Sequence, residues 1–184
     1  MQSPMSMRFY RFKARYLKDK RGSATIEFSA VLVPFIALMF ASIAIGLYFF
    51  TQFSLEYAVG EAARDVRTGK FQIANQTQSE FKAAICGKAI GVTNCDANIR
   101  INILEFADFN NINVPSCLDS DGALLDGSSG GDLVPGASGN VVFILACYEW
   151  TLAGVFPYFN LGNMNNGSAL LQASTAFRTE PFGE

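Results

Sequence analysis

From Phe28 to Leu55 the chain is apolar, and no charged residue interrupts it until Glu56. As a helix this run is ~42 Å long at 1.5 Å per residue, longer than the ~30 Å hydrocarbon core of a bilayer. It is therefore expected to span a membrane. Beyond it the spacing changes without breaking. Leu55, Val59, Ala62, Ala63 and Val66 recur at three- and four-residue intervals, with Glu56, Glu61, Arg64, Asp65 and Arg67 on the remaining face. That is an amphipathic helix. Arg64, Arg67 and Lys70 suit its C-terminus and Gly69 its cap. One helix from about residue 24 to 68, ~65 Å long, is predicted, its first part in lipid and its second laid on a folded domain.

Thr77-Gln-Ser-Glu80 has the form of a capping box ahead of Phe81, Ala84 and Ile85, so a second helix is expected there, ended by Gly91 and Asn94. Three strands follow. Ile99, Ile101 and Ile103 alternate with Arg100 and Asn102 in the segment from Asn98 to Phe106. Val141 to Trp150 is almost continuously apolar, as a central strand would be. Leu171, Ala173, Thr175 and Phe177 alternate with Gln172, Ser174 and Arg178. Between the first two strands, Gly122, Gly127, Gly130, Gly131, Gly136 and Gly139 lie among Asp119, Asp121, Asp126 and Asp132, which describes a long exposed loop. The fold class expected is α+β: a long N-terminal helix, a second helix, and an antiparallel sheet of about three strands packed on the long helix.

Charge orients this arrangement. Arg8, Arg11, Lys13, Arg15, Lys18, Lys20 and Arg21 precede the apolar run with only Asp19 opposing them, whereas the chain after Gly22 has 7 Lys and Arg against 15 Asp and Glu. Positive flanks stay on the cytoplasmic side, so the domain after the span is expected to be exported. Its acidity argues against nucleic acid as a partner. The run is too long for the h-region of a cleaved signal, so it is read as an anchor in contact with membrane lipid. Three parts result: a basic cytoplasmic leader at 1–22, a long helix at 23–70 with its span at about 28–55, and an exported domain at 71–184.

Glu27 stands where the membrane begins, and a carboxylate there costs a few kcal/mol unless it is neutralised. Gly22 closes the basic stretch five residues before it, and Phe28 and the apolar helix follow. This arrangement resembles the processing site of type IV pilins and pseudopilins, in which a membrane-embedded prepilin peptidase cuts after the glycine. Such a cut would leave Gly22 as the last leader residue and Ser23 as the first mature one. The spacing has a physical logic of its own, because Glu27 lies one turn from a new ammonium at Ser23 and on nearly the same face. Opposite charges in a low-dielectric setting pair strongly, with the amine of the same chain or of a neighbour. Pro34 removes a backbone donor and crowds the carbonyl near Ala30, so a kink is expected, with Ser29 placed to help satisfy the freed group. Ala37, Ala41, Ala44 and Gly46 offer small surfaces for helix contact.

All four cysteines, Cys86, Cys95, Cys117 and Cys147, fall on the exported side, which fits an oxidising compartment. Three connectivities are open. The one favoured joins Cys86 to Cys95, between the second helix and the first strand, and Cys117 to Cys147, between the long loop and the central strand. A metal site is disfavoured, since the chain has no histidine and no Cys-x-x-Cys spacing. Asp119-Ser-Asp121-Gly122 begins like a calcium loop, but no Glu closes it at the required distance. Asn166-Gly167-Ser168 has the form of a glycosylation sequon inside a connector. No nucleophile elbow or phosphate loop occurs, so neither catalysis nor a cofactor is expected.

The segments Glu56 to Gly69, Phe81 to Cys86, Cys95 to Ile103, Tyr148 to Trp150 and Ala176 to Phe182, in that order, resemble the TadE-like proteins, minor pseudopilins of the tight-adherence (Flp, type IVc) pilus. The resemblance implies a pilin-like accessory subunit for building an adhesive pilus. It also implies residence in the bacterial inner membrane with the domain periplasmic. Its partners would be the prepilin peptidase, other pseudopilins, the major Flp pilin and the inner-membrane platform. The alternative from a different class is an uncleaved single-pass protein whose exported domain senses or binds a ligand.

Overall fold

The computed structural model describes residues 23–125, 136–155 and 161–182. Gly22 and the basic leader lie outside them, as do Asp126, Gly127, Gly130, Gly131 and Asp132 of the long loop. The chain divides into two compact units, with the boundary between Ile43 and Ala44.

Helix α1 runs from Ser23 to Arg67 and contains Pro34. In the first unit its side chains are largely exposed, Ile26, Phe28, Val31, Val33, Phe35 and Leu38 among them. Ser29 does not serve the carbonyl near Pro34 as expected. Its hydroxyl donates to Ile26 O at 2.9 Å, because a short side chain on a helix reaches back to the carbonyl three residues earlier and not forward. Ser42 does the same to Leu38 O at 2.9 Å.

In the second unit α1 has two faces. Leu55, Ala58, Val59, Ala62, Ala63 and Val66 are buried, and Glu56, Gly60, Arg64 and Arg67 are exposed. The helix stops because Gly69 takes a left-handed conformation, φ 76°, and its N–H returns to Val66 O at 3.2 Å. A single turn, α2 (Lys70–Ile73), follows and buries Phe71. Helix α3 (Gln78–Lys88) opens on Thr77 with a complete capping box and buries Phe81 and Ile85. It ends three residues before Gly91. Asn94, expected to help terminate it, has φ 48° and instead caps another turn, α4 (Cys95–Asn98). Disulfide Cys86–Cys95 ties α3 to that turn, with its Cα atoms 5.7 Å apart.

Strands β1 (Ile99–Phe106), β2 (Val141–Trp150) and β3 (Ala169–Arg178) form an antiparallel sheet in the order β1-β2-β3, with Ile103 opposite Ile144 and Ile144 opposite Thr175. On one face Ile99, Ile101, Ile103, Val142, Ile144, Ala146, Tyr148, Trp150, Ala169, Leu171 and Ala173 join α1, Phe71, Phe81 and Ile85 in the main core. Each large side chain fully buried there contributes about 1.5–3 kcal/mol, which is why this layer dominates the unit. The opposite face has a smaller core, made of Phe143, Leu145, Cys147 and Cys117, with Leu104, Phe106, Ile112, Leu124 and Leu170 packed against it. Two-sided burial explains the continuous apolar run of β2. The loop that supplies the cover is joined to the sheet by disulfide Cys117–Cys147.

Both outer strands are engaged from outside by glutamines. Gln78 Nε2 donates to Ile101 O of β1 at 3.2 Å, and Gln52 Nε2 donates to Gln172 O of β3 at 2.7 Å.

Candidate functional site

Ser23 is the first residue of α1, and Glu27 stands four residues on, exposed. Four residues on a helix turn about 400°, so Glu27 lies close to the direction of the helix start and one turn above it. Gly22, the other half of the expected cleavage site, lies outside the described residues. The neighbours Ile26, Phe28 and Val31 are apolar and more than 60% exposed, so Glu27 places a carboxylate on an oily helix surface. Among the described residues one helix, α1, is long and apolar enough to cross a membrane.

The cysteines, the other residues singled out, are far from Glu27 in sequence and belong to the second unit, where they form the two disulfides described above. They fasten loops to the sheet and helix layers. Asp119 makes an Asx turn, its Oδ1 accepting from Asp121 N at 3.0 Å and Ala123 N at 2.8 Å, while Leu118 bridges Leu124. Its carboxylate is thus occupied by its own loop. Asn166 of the sequon donates from Nδ2 to Glu149 Oε1 at 2.7 Å. Among the described residues no three His, Cys, Asp or Glu side chains gather where a metal could be held.

Glu80 opens α3 with a carboxyl held by its own cap. The Thr77 backbone N–H donates to its Oε2 at 2.7 Å and the Thr77 hydroxyl at 3.0 Å, and these bonds hold its carboxyl below the ordinary carboxylate range. This is helix capping.

One group of exposed residues was missed from the sequence: Phe49, Phe50, Phe53 and Tyr57, on the face of α1 opposite Leu55 and Ala58. The available signal was their offset from the Leu55–Val59–Ala62 series, which puts them away from the core.

Among the described residues, α1 is apolar and long enough to serve as a single membrane anchor, and it continues into an α+β unit fastened by two disulfides. Residues 22–64 match the model of the family described as TadE-like protein. No curated protein and no solved structure matches the chain. The TadE-like resemblance is thus shown on the segment that holds Gly22, Ser23, Glu27, Pro34 and most of α1, and it supports a protein associated with Tad pilus systems. The matching stretches expected at Phe81 to Cys86, Cys95 to Ile103, Tyr148 to Trp150 and Ala176 to Phe182 lie beyond the matched residues.

Proposed function

We propose that the chain is a minor pseudopilin, an accessory structural subunit for assembly of a Tad (Flp, type IVc) pilus, cut by a prepilin peptidase between Gly22 and Ser23. The observation that carries this reading is the family match, which begins at Gly22 and contains Glu27. The mature α1 anchors the subunit in the inner membrane with its second unit in the periplasm, as the positive leader requires. Glu27 receives the ammonium of Ser23, its own or that of an adjacent subunit, and so fixes the axial register between packed helices. The partners are the prepilin peptidase, other pseudopilins, the major Flp pilin and the inner-membrane platform.

The test is the intact mass of the membrane-extracted protein from cells with an active prepilin peptidase. A chain beginning at Ser23 is expected. A leader still attached would refute the assignment.

A further inference from the structure

Within the second unit, Ala44 is already fully buried on α1, and the unit's loops meet the helix close behind it. Tyr48 packs edge-on against Trp150 at the end of β2, with ring centroids 5.6 Å apart. The loop after α3 lies on the same stretch: Ile90 N donates to Ser54 Oγ at 2.6 Å, and a Cβ at Gly91 would sit 3.0 Å from the Phe50 ring. Around these contacts the surface is apolar and exposed. Phe49, Phe50 and Phe53 are each more than half exposed, Ile90 is 70% exposed, and Val155, in the turn that follows Trp150, is 65% exposed.

Chain length says what covers this end. With Glu27 at the inner edge of the hydrocarbon, the 17 residues from Phe28 to Ala44 rise only ~25 Å, less than the ~30 Å core. Phe50 comes ~33 Å along, within the outer headgroup layer of a bilayer ~40–45 Å thick overall, and Phe53 ~38 Å, at that layer's outer limit. The length of helix needed to cross the hydrocarbon therefore runs past Ala44, where α1 side chains are already buried. No charged residue occurs from Phe28 to Leu55, and Lys88, the nearest lysine before Ile90, faces Glu61 at 4.0 Å.

We infer that the helix-entry end of the second unit, formed by Phe49, Phe50, Phe53, Ile90 and Val155, is a membrane-seating surface whose partner is the lipid of the outer headgroup and upper acyl region. Attraction comes from apolar area and aromatic rings and not from anionic headgroups, because among the described residues this end presents no basic cluster. The inference rests on membrane anchoring by α1 and is independent of leader cleavage.

The test uses the full chain in phosphatidylcholine vesicles at low protein-to-lipid ratio, so that lipid and not a second copy surrounds the surface. Trp150 is the sole tryptophan, and its indole N–H makes no hydrogen bond among the described residues, which makes Trp150→Phe a suitable background. Single tryptophans are then placed at exposed positions as Leu38→Trp, Ile90→Trp and Ile73→Trp. Lipids brominated high on the acyl chain are expected to remove roughly half of the Ile90→Trp emission, equally with and without added phosphatidylglycerol, and to leave Ile73→Trp unchanged. Leu38→Trp is expected to be quenched by deeply brominated lipid. Quenching at Leu38→Trp but not at Ile90→Trp overturns the seating alone. Its absence at both overturns the anchor as well, and equal quenching at Ile73→Trp would show adhesion without a defined seat and overturn the inference.

Discussion

Phe182 closes over Gly69: a Cβ at Gly69 would collide with the Phe182 ring, and the left-handed backbone there, φ 76°, already disfavours a side chain. Sequence neighbours reinforce the contact. Glu180 N donates to Arg67 O at 2.9 Å, and Arg67 Nε faces Glu180 Oε1 at 3.3 Å. The segment after β3 thus finishes the C-terminal end of α1, satisfying a carbonyl the helix leaves open. Gly69→Ala is expected to destabilise the chain by about 2 kcal/mol or more, from backbone strain and overpacking together. Urea unfolding of the full chain in detergent measures it, and Arg67→Ala, which removes only an exposed ion pair, should fall far short of that effect.

The two disulfides should differ in worth. Cys117–Cys147 closes 30 residues and Cys86–Cys95 closes 9. Chain entropy assigns about 3.6 kcal/mol to the first and about 2.6 kcal/mol to the second. The first also holds down the cover of the smaller core, where Cys117 and Cys147 are buried with Phe143 and Leu145. The paired variant Cys117→Ser/Cys147→Ser should therefore melt lower than Cys86→Ser/Cys95→Ser. Thermal unfolding followed by circular dichroism gives the order, and a reversed order would contradict this account of the loop.

The capping box makes one pH-dependent contribution. Glu80 titrates below its ordinary range when folded, so the unfolded chain binds more protons across that window. The stabilisation is complete above the unfolded value and is lost as pH falls through the folded one. Glu80→Gln should thus lower the melting temperature at neutral pH and make no difference in acid. Thr77→Ala, which removes the hydroxyl that accepts from Glu80 N at 3.3 Å, should cost about 1 kcal/mol at neutral pH. Melting curves of the three chains across the acidic range decide both points.

Glu27→Ala separates assembly from processing. If Glu27 receives the Ser23 amine, its loss should abolish pilus assembly while intact mass still shows cleavage after Gly22. Filaments counted by electron microscopy, together with that mass, provide the check. Normal filament numbers in the variant would remove the pairing argument.

Strand alternation and cap chemistry made most of this architecture readable from residues alone. The Ile99–Ile101–Ile103 series, the apolar run at Val141 to Trp150, the box at Thr77 and the stop at Gly69 each have a local physical cause, and each stands where it was expected. What escaped depends on distant residues. Phe182 reaching Gly69 and Ile112 and Leu124 covering Phe143 are contacts that no local period encodes. Asn94, expected at the end of one helix, stands at the start of another turn, because a residue at positive φ serves either purpose. Glu27 was legible as an anomaly in an apolar setting, but its proposed partner is created by cleavage and belongs in part to another molecule.

The glutamines on the sheet margins carry a consequence for how copies of the chain could meet. A strand arriving beside β1 or β3 would have to displace Gln78 from Ile101 or Gln52 from Gln172 before it could pair there. Copies of the chain lying side by side would thereby be discouraged from zipping into ribbons. Under the assembly proposed above, lateral association would fall to the exposed helix, where contacts can be exchanged without unpicking the fold.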